Sequence, residues 1–109
     1  MKILTGYVAN PGKFTGKAKK ISSPEEMEKI KEGDVLITNN NSPLLSIAFM
    51  KASAIISEKG GSLCHLAIVA RELNKPCIMG VLDALNQIPE GALIELDATN
   101  NKIIVFENG

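Results

Sequence analysis

Apolar and polar positions alternate in several registers along this chain, and each register predicts an element. Residues 2–9 alternate loosely and stop at Asn10-Pro11-Gly12, a turn signal. Phe14 to Ile21 alternates apolar positions with Lys17, Lys19 and Lys20, which predicts a lysine-bearing strand, placed at a sheet edge because lysines discourage strand-to-strand aggregation. Ser23-Pro24-Glu25-Glu26 predicts a helix start, with Ser23 as N-cap, Pro24 at the first position and Glu26 closing a capping box. Met27 and Ile30 supply its buried side and Gly33 stops it. Asp34 to Thr38 is a compact strand that runs into the polar cluster Asn39-Asn40-Asn41-Ser42 before Pro43. Leu44 to Met50 reads as a helix with Leu45, Ala48 and Phe49 inward.

The second half follows the same logic. Ala54 to Ser57 is a buried strand leading to Gly60-Gly61, where a sharp turn is expected. Ser62 is a good N-cap residue, and Leu66, Val69, Ala70 and Leu73 form the i, i+3, i+4, i+7 stripe of a helix behind it. Asn74-Lys75-Pro76 ends that helix, Cys77-Ile78-Met79 is a short strand, and Gly80 permits close backbone approach. Residues 81–88 form a short helix or turn, and Pro89-Glu90-Gly91 a turn. Ala92 to Leu96 and Lys102 to Phe106 pair as a hairpin across Asp97 to Asn101. Helices and strands alternate in the middle while strands dominate the ends, which indicates a mixed, layered α/β domain over residues 1–109.

Composition narrows the partners more than the fold. Twelve basic and twelve acidic residues cancel, so charge gives no case for nucleic acid or an anionic membrane. The chain has no run of eighteen apolar residues and its first residues are not a signal peptide. Two cysteines are too few for a disulfide scaffold, and reduced thiols in a cytoplasmic protein are expected.

The chemistry concentrates between Gly60 and Gly80, which hold the one histidine and both cysteines. On a helical wheel His65 lies about 40° from Val69, at the edge of the apolar stripe, so its ring is partly reachable. It also falls in the first helical turn, where free N–H groups and the macrodipole favour an anion. A phosphoryl group carried on the imidazole suits that field. The chemistry needs a neutral ring with a free lone pair.

The run Gly-Gly-x-x-Cys-His-x-Ala-Ile-x-Ala-Arg-Glu, followed by x-x-x-Pro and x-x-x-Gly, resembles the phosphohistidine motif of the phosphoenolpyruvate-utilising enzymes. That family includes phosphoenolpyruvate synthase, pyruvate phosphate dikinase, enzyme I of the sugar phosphotransferase system and related antibiotic phosphotransferases. Pro11-Gly12 with Gly16, Gly33-Asp34-Val35-Leu36, Pro43 and Ala54-Ile55-Ile56 resemble further family segments, so the likeness covers nearly the whole chain. It implies a swivelling β/β/α phosphohistidine domain. It also implies that His65 takes a phosphoryl group at one active site and delivers it at another, through Nε2. Gly60, Gly61, Ser62 and Cys64 would form the phosphoryl loop, with Arg71, Asn39, Ser42 and Gly80 as possible supports. Leu63 stands where many members have a Thr that contacts or receives phosphate; Leu63 can do neither. A Leu there resembles synthase-like and antibiotic-phosphotransferase-like members.

The residues also admit plainer roles. Arg71 lies about 120° from His65 on the wheel, which fits a structural or partner contact as well as a phosphate contact. Glu72 reads as a solvated helix charge, and Asn39 to Ser42 as a solvated loop with a capping serine or a loop beside His65. Cys64, His65 and Cys77 match no usual zinc spacing, so no metal is expected. The chain has neither a nucleotide-binding glycine loop nor a carboxylate cluster for Mg²⁺. ATP, Mg²⁺ and phosphoenolpyruvate or pyruvate are therefore expected on partner domains or subunits. The alternatives are a binding or regulatory module that kept the fold without phosphotransfer, and a thiol or metal protein.

Overall fold

A computed structural model describes residues 1–60 and 64–106. Its strands are β1 (Lys2–Leu4), β2 (Tyr7–Asn10), β3 (Lys13–Lys20), β4 (Asp34–Thr38), β5 (Ala54–Ser57), β6 (Cys77–Met79), β7 (Leu93–Asp97) and β8 (Lys102–Val105). Its helices are α1 (Ser46–Lys51), α2 (His65–Glu72) and α3 (Ala84–Gln87), with 3-10 turns at Pro24–Lys29 and Pro43–Leu45.

Among the described residues the strands form one sheet in the order β1-β8-β7-β3-β4-β5-β6-β2. The run from β3 to β6 is parallel, and the remaining pairs are antiparallel. β1 and β2 occupy opposite ends of that order, yet only Thr5 and Gly6 separate them in the chain. The sheet must therefore wrap until its two ends meet. Wrapping creates an enclosed core of Val35, Ile37, Ala54, Ile56 and Ile78 against Ile94, Leu96, Ile103 and Val105, closed by Ala84 and Ile88.

The alternate residues of the same strands point the other way. Leu36, Ile55, Cys77 and Met79 pack under Leu45, Ala48 and Phe49 of the α1 segment and Leu66, Ala67 and Ala70 of α2. Period-two alternation thus feeds two different cores, which is why β4 and β5 read as unbroken apolar runs. The outcome is the expected layering of sheet, sheet and helices.

Several local expectations change. β3 lies between β7 and β4, and the ends of the sheet are β1 and β2. Lys13, Thr15 and Lys17 are exposed because they share the uncovered face of β3, whereas the strand itself pairs with β7 over Lys13–Lys17 and with β4 over Lys17–Lys20. The segment after Ser23 is a 3-10 turn without a side-chain cap from Ser23. Glu26 still reaches back, accepting from the Ser22 N–H at 2.8 Å, and that bond holds its carboxyl below the usual range. The turn ends at Lys29, and Gly33, at φ +97°, instead shapes the entry into β4. The Leu44–Met50 helix is split: Ser42 caps the 3-10 turn by accepting from the Leu44 N–H at 3.2 Å, and α1 begins at Ser46.

α2 is shorter than its apolar stripe implied. Cys64 occupies its N-cap position, in place of Ser62, which lies outside the described residues with Gly61 and Leu63. Leu66, Ala67 and Ala70 are its buried residues, Val69 is half-buried, and Leu73 is exposed because it sits past the last turn. The β7–β8 hairpin forms as expected, its turn held by Asp97 accepting from the Asn100 N–H and side-chain amide at 3.1 and 2.9 Å.

Candidate functional site

The parallel strands β4 and β5 end side by side, Thr38 opposite Ser57, and both side chains are buried. The chain turns off each strand end into a loop, which is where α/β sheets place ligand contacts. Asn39 to Ser42 leaves β4 and leads to α1; Glu58 to Gly60 leaves β5, and Cys64 opens α2. Asn41 ties the two loops together. Its side-chain oxygen accepts from Ser57 Oγ at 2.6 Å, and its Nδ2 lies 3.8 Å from Cys64 Sγ as donor. Asn40 orders the same loop, its Oδ1 accepting from the Ser42 N–H at 2.9 Å and its Nδ2 donating to Ser22 O at 3.2 Å. Asn39 makes no side-chain hydrogen bond among the described residues, and Ser42 acts as a cap.

His65 is the first residue of α2 and is half-buried. Ile68 N–H donates to Cys64 O at 3.2 Å, so the N–H groups of His65, Leu66 and Ala67 have no acceptor within the helix. The ring leans over the buried Phe49, with centroids 6.4 Å apart and planes tilted by 46°. Nε2 lies 3.0 Å from Ser46 Oγ, on the first turn of α1. Ser46 also donates to Pro43 O at 2.6 Å. With its proton there, Ser46 accepts from a protonated Nε2; turned the other way, it donates to an Nε2 lone pair. Either arrangement fixes the plane of the ring.

His65 opens onto a groove of about 260 Å³ between α1 and α2, lined by Ser46, Met50, Val69, Glu72 and Leu73. Leu44, Ile47, Met50 and Leu73 remain exposed on these two segments. A larger depression of about 560 Å³ lies at the far end of α1, among Phe14, Glu32, Lys51, Ser53 and Lys75. It contains none of the candidate residues. Lys75 there donates to the carbonyls of Met50 and Ala52, and burial lowers its pKa. That bonding clamps the loop after α2 onto the end of α1.

The other sequence candidates separate. Arg71 Nε donates to Ala9 O at 3.0 Å, which ties α2 to β2. Gly80 follows β6 at φ +65°. Cys77 is buried beneath α2, and burial, with the neighbouring Cys64, pushes its thiol up to about 12. Both cysteines are free thiols, and among the described residues no three His, Cys, Asp or Glu side chains gather as metal ligands. Asn41 belongs to the polar run that the sequence offers as a loop beside His65, and its side chain reaches Cys64 there, whereas nothing in the sequence singles out Ser46.

A family model described as "PEP-utilising enzyme, mobile domain" matches residues 30–101, which include both loops, α1 and α2. The chain belongs to the mobile-domain family of the PEP-utilising enzymes. This mobile domain is 39% identical over 105 residues to a probable phosphoenolpyruvate synthase of Archaeoglobus fulgidus, covering 96% of this chain and 14% of the relative. It is 37% identical over 101 residues to the phosphoenolpyruvate synthase of Pyrococcus furiosus, covering 93% and 12%. The mobile domain thus spans about one-seventh of the length of these relatives or less. Among solved structures, Enzyme I superimposes with a TM-score of 0.63 at 24% identity, over 75% of this chain and 34% of that one. Aconitase X of Thermococcus kodakaraensis superimposes with a TM-score of 0.74 at 17% identity, over 98% of this chain and all of that one. At such identities these two likenesses show the fold alone. No helix among the described residues is long and apolar enough to cross a membrane.

Proposed function

We propose that this mobile domain is a phosphoryl carrier, with His65 as the group that takes and hands over PO₃. The observation that carries the reading is the half-buried imidazole at the start of α2, held by Ser46 and open to a groove. In the transfer, the Nε2 lone pair forms a bond to phosphorus while the donor's P–O bond breaks and leaves its electron pair on the donor oxygen. The other ring nitrogen keeps its proton. Ser46 Oγ must release Nε2 first, and its hydroxyl is then free to donate to a phosphoryl oxygen. The N–H groups of the first turn of α2, which have no acceptor within the helix, favour the same negative charge. Gly60 and Cys64 belong to the phosphoryl loop in this reading; Gly61 and Ser62, its other two residues, lie outside the described residues.

The donor and acceptor sites belong to partner domains or subunits: a nucleotide site with ATP and Mg²⁺, and a phosphoenolpyruvate, pyruvate or other acceptor site. The small share of the relatives' length that this chain spans supports that assignment. So does the exposed apolar rim of Leu44, Ile47, Met50 and Leu73 beside the ring, a surface that can exclude water during transfer.

The test is labelling with the cognate partner and ATP. His65→Ala is expected to abolish acid-labile phosphorylation, and Cys64→Ala to weaken it. Continued labelling of the His65→Ala protein refutes the assignment, while failure of the unaltered domain to label with an active partner favours a non-catalytic module.

A further inference from the structure

We propose that Lys75 is a positioning residue for His65: it holds the end of α1 against the exit of α2 and so sets where Ser46, at the start of α1, meets the imidazole. The proposal rests on the carrier reading above for its functional meaning. Lys75 follows α2 and is half-buried. Its backbone is pinned on both sides. The N–H donates to Ala70 O of α2 at 2.9 Å, and the carbonyl accepts from Asn10 Nδ2 at 3.0 Å. From that fixed base the side chain crosses to α1, where Nζ donates to Met50 O and Ala52 O.

Met50 lies in the last turn of α1, and Ala52 is the C-cap of that six-residue helix. The last carbonyls of a helix have no partner within it, and the negative end of its dipole favours a cation there. A helix this short is not stable alone and takes its place from its contacts. Ala48 and Phe49 supply the apolar contacts. Apolar packing is non-directional, however, and does not by itself fix how the helix slides or turns about its buried face. Two polar contacts do so: Lys75 at one end, and Ser46 Oγ against His65 Nε2 at 3.0 Å at the other. They bracket the groove of about 260 Å³ between α1 and α2. Six residues of helix span about 9 Å, so a shift at the Lys75 end reaches Ser46 as a rigid-body movement. A few tenths of an ångström matter to a 3.0 Å contact. Every link from Lys75 to the imidazole lies within residues 46–52 and 65–75.

The experiment treats the whole chain with potassium phosphoramidate, a small phosphoryl donor that needs no partner. Phosphohistidine formation is followed alongside the ¹H–¹⁵N signals of the one histidine ring. Lys75→Met and Lys75→Gln both remove the cation. Each is made alone and together with Ser46→Ala, and folding is checked by urea unfolding. Either change alone is expected to slow phosphorylation about three- to fivefold and to shift the ring signals as Ser46→Ala does. In the Ser46→Ala background the same change should cost less than about twofold, since the contact it acts through is already gone. Ile103→Val trims the enclosed core instead; it lowers stability and should leave the ring signals and the rate where they were. An unmoved ring in both Lys75 variants, slowing that multiplies with Ser46→Ala, or an equal shift in Ile103→Val overturns the proposal. Should the unaltered domain take no phosphoryl group, the carrier reading fails; the ring signals across the same variants still decide whether Lys75 acts through Ser46.

Discussion

A single hydroxyl decides how the imidazole stands. Ser46 bridges Pro43 O and His65 Nε2, so it links the start of α1 to the start of α2 through side chains alone. Replacing it with Ala removes one hydrogen bond to the ring, a loss of about 1 kcal/mol, or roughly fivefold. Ser46→Ala is therefore expected to lower the rate of His65 phosphorylation by that order while leaving the urea midpoint nearly unchanged, measured side by side on one preparation. The two cysteines make a complementary test. Cys77 is buried with its thiol pushed up to about 12, so it offers almost no thiolate, whereas Cys64 is half-buried at the N-cap of α2. Iodoacetamide at mildly alkaline pH should modify Cys64 in the folded protein and Cys77 only after unfolding. Peptide mapping that finds Cys77 modified in the native state contradicts that packing.

At the scale of elements, the two cores make different demands. Phe49 is fully buried and forms the apolar floor beneath His65. Phe49→Ala should cost about 3–5 kcal/mol in stability by urea unfolding, and it should disturb the His65 ring more than a comparable cavity in the other core. The β7–β8 turn supplies a pH signature. Asp97 accepts from the Asn100 side chain and N–H, which holds its carboxyl below the usual range. The unfolded chain then takes up the proton first. The turn's contribution is complete above the ordinary carboxylate pKa of about 4 and fades as pH falls through the lower folded value. Asp97→Asn is expected to flatten the fall in urea midpoint between neutral and acidic pH, and an unchanged slope counts against the turn's role.

Elements whose evidence is local were legible in the sequence: the Cys77–Met79 strand, the β7–β8 hairpin, and the inward set Leu45, Ala48 and Phe49. What failed depends on distant neighbours. β3 looks like an edge because its lysines are exposed, but its partners come from residues 34–38 and 93–97, which no local pattern announces. The apolar spacing runs past the end of α2 because Leu73 continues it after the helix has ended. In the candidate site, His65 and its loop stood out through their motif. Ser46 did not, since its contact with the ring is made only when α1 and α2 fold together.

For the molecule as a whole, the wrapped sheet sets up a division of labour. The enclosed core fixes the frame, while the helix-side core carries α1 and α2 with the imidazole at their meeting point. The same fold recurs in aconitase X at 17% identity, so the frame alone does not select the chemistry. The most direct measurement is site mapping by mass spectrometry under non-acidic conditions, after incubation with ATP and the nucleotide-binding partner that the proposed carrier role requires. The expected result is one phosphoryl group on the peptide bearing His65, lost on mild acid treatment. An acid-stable phosphate, or a label confined to any other residue, contradicts the account.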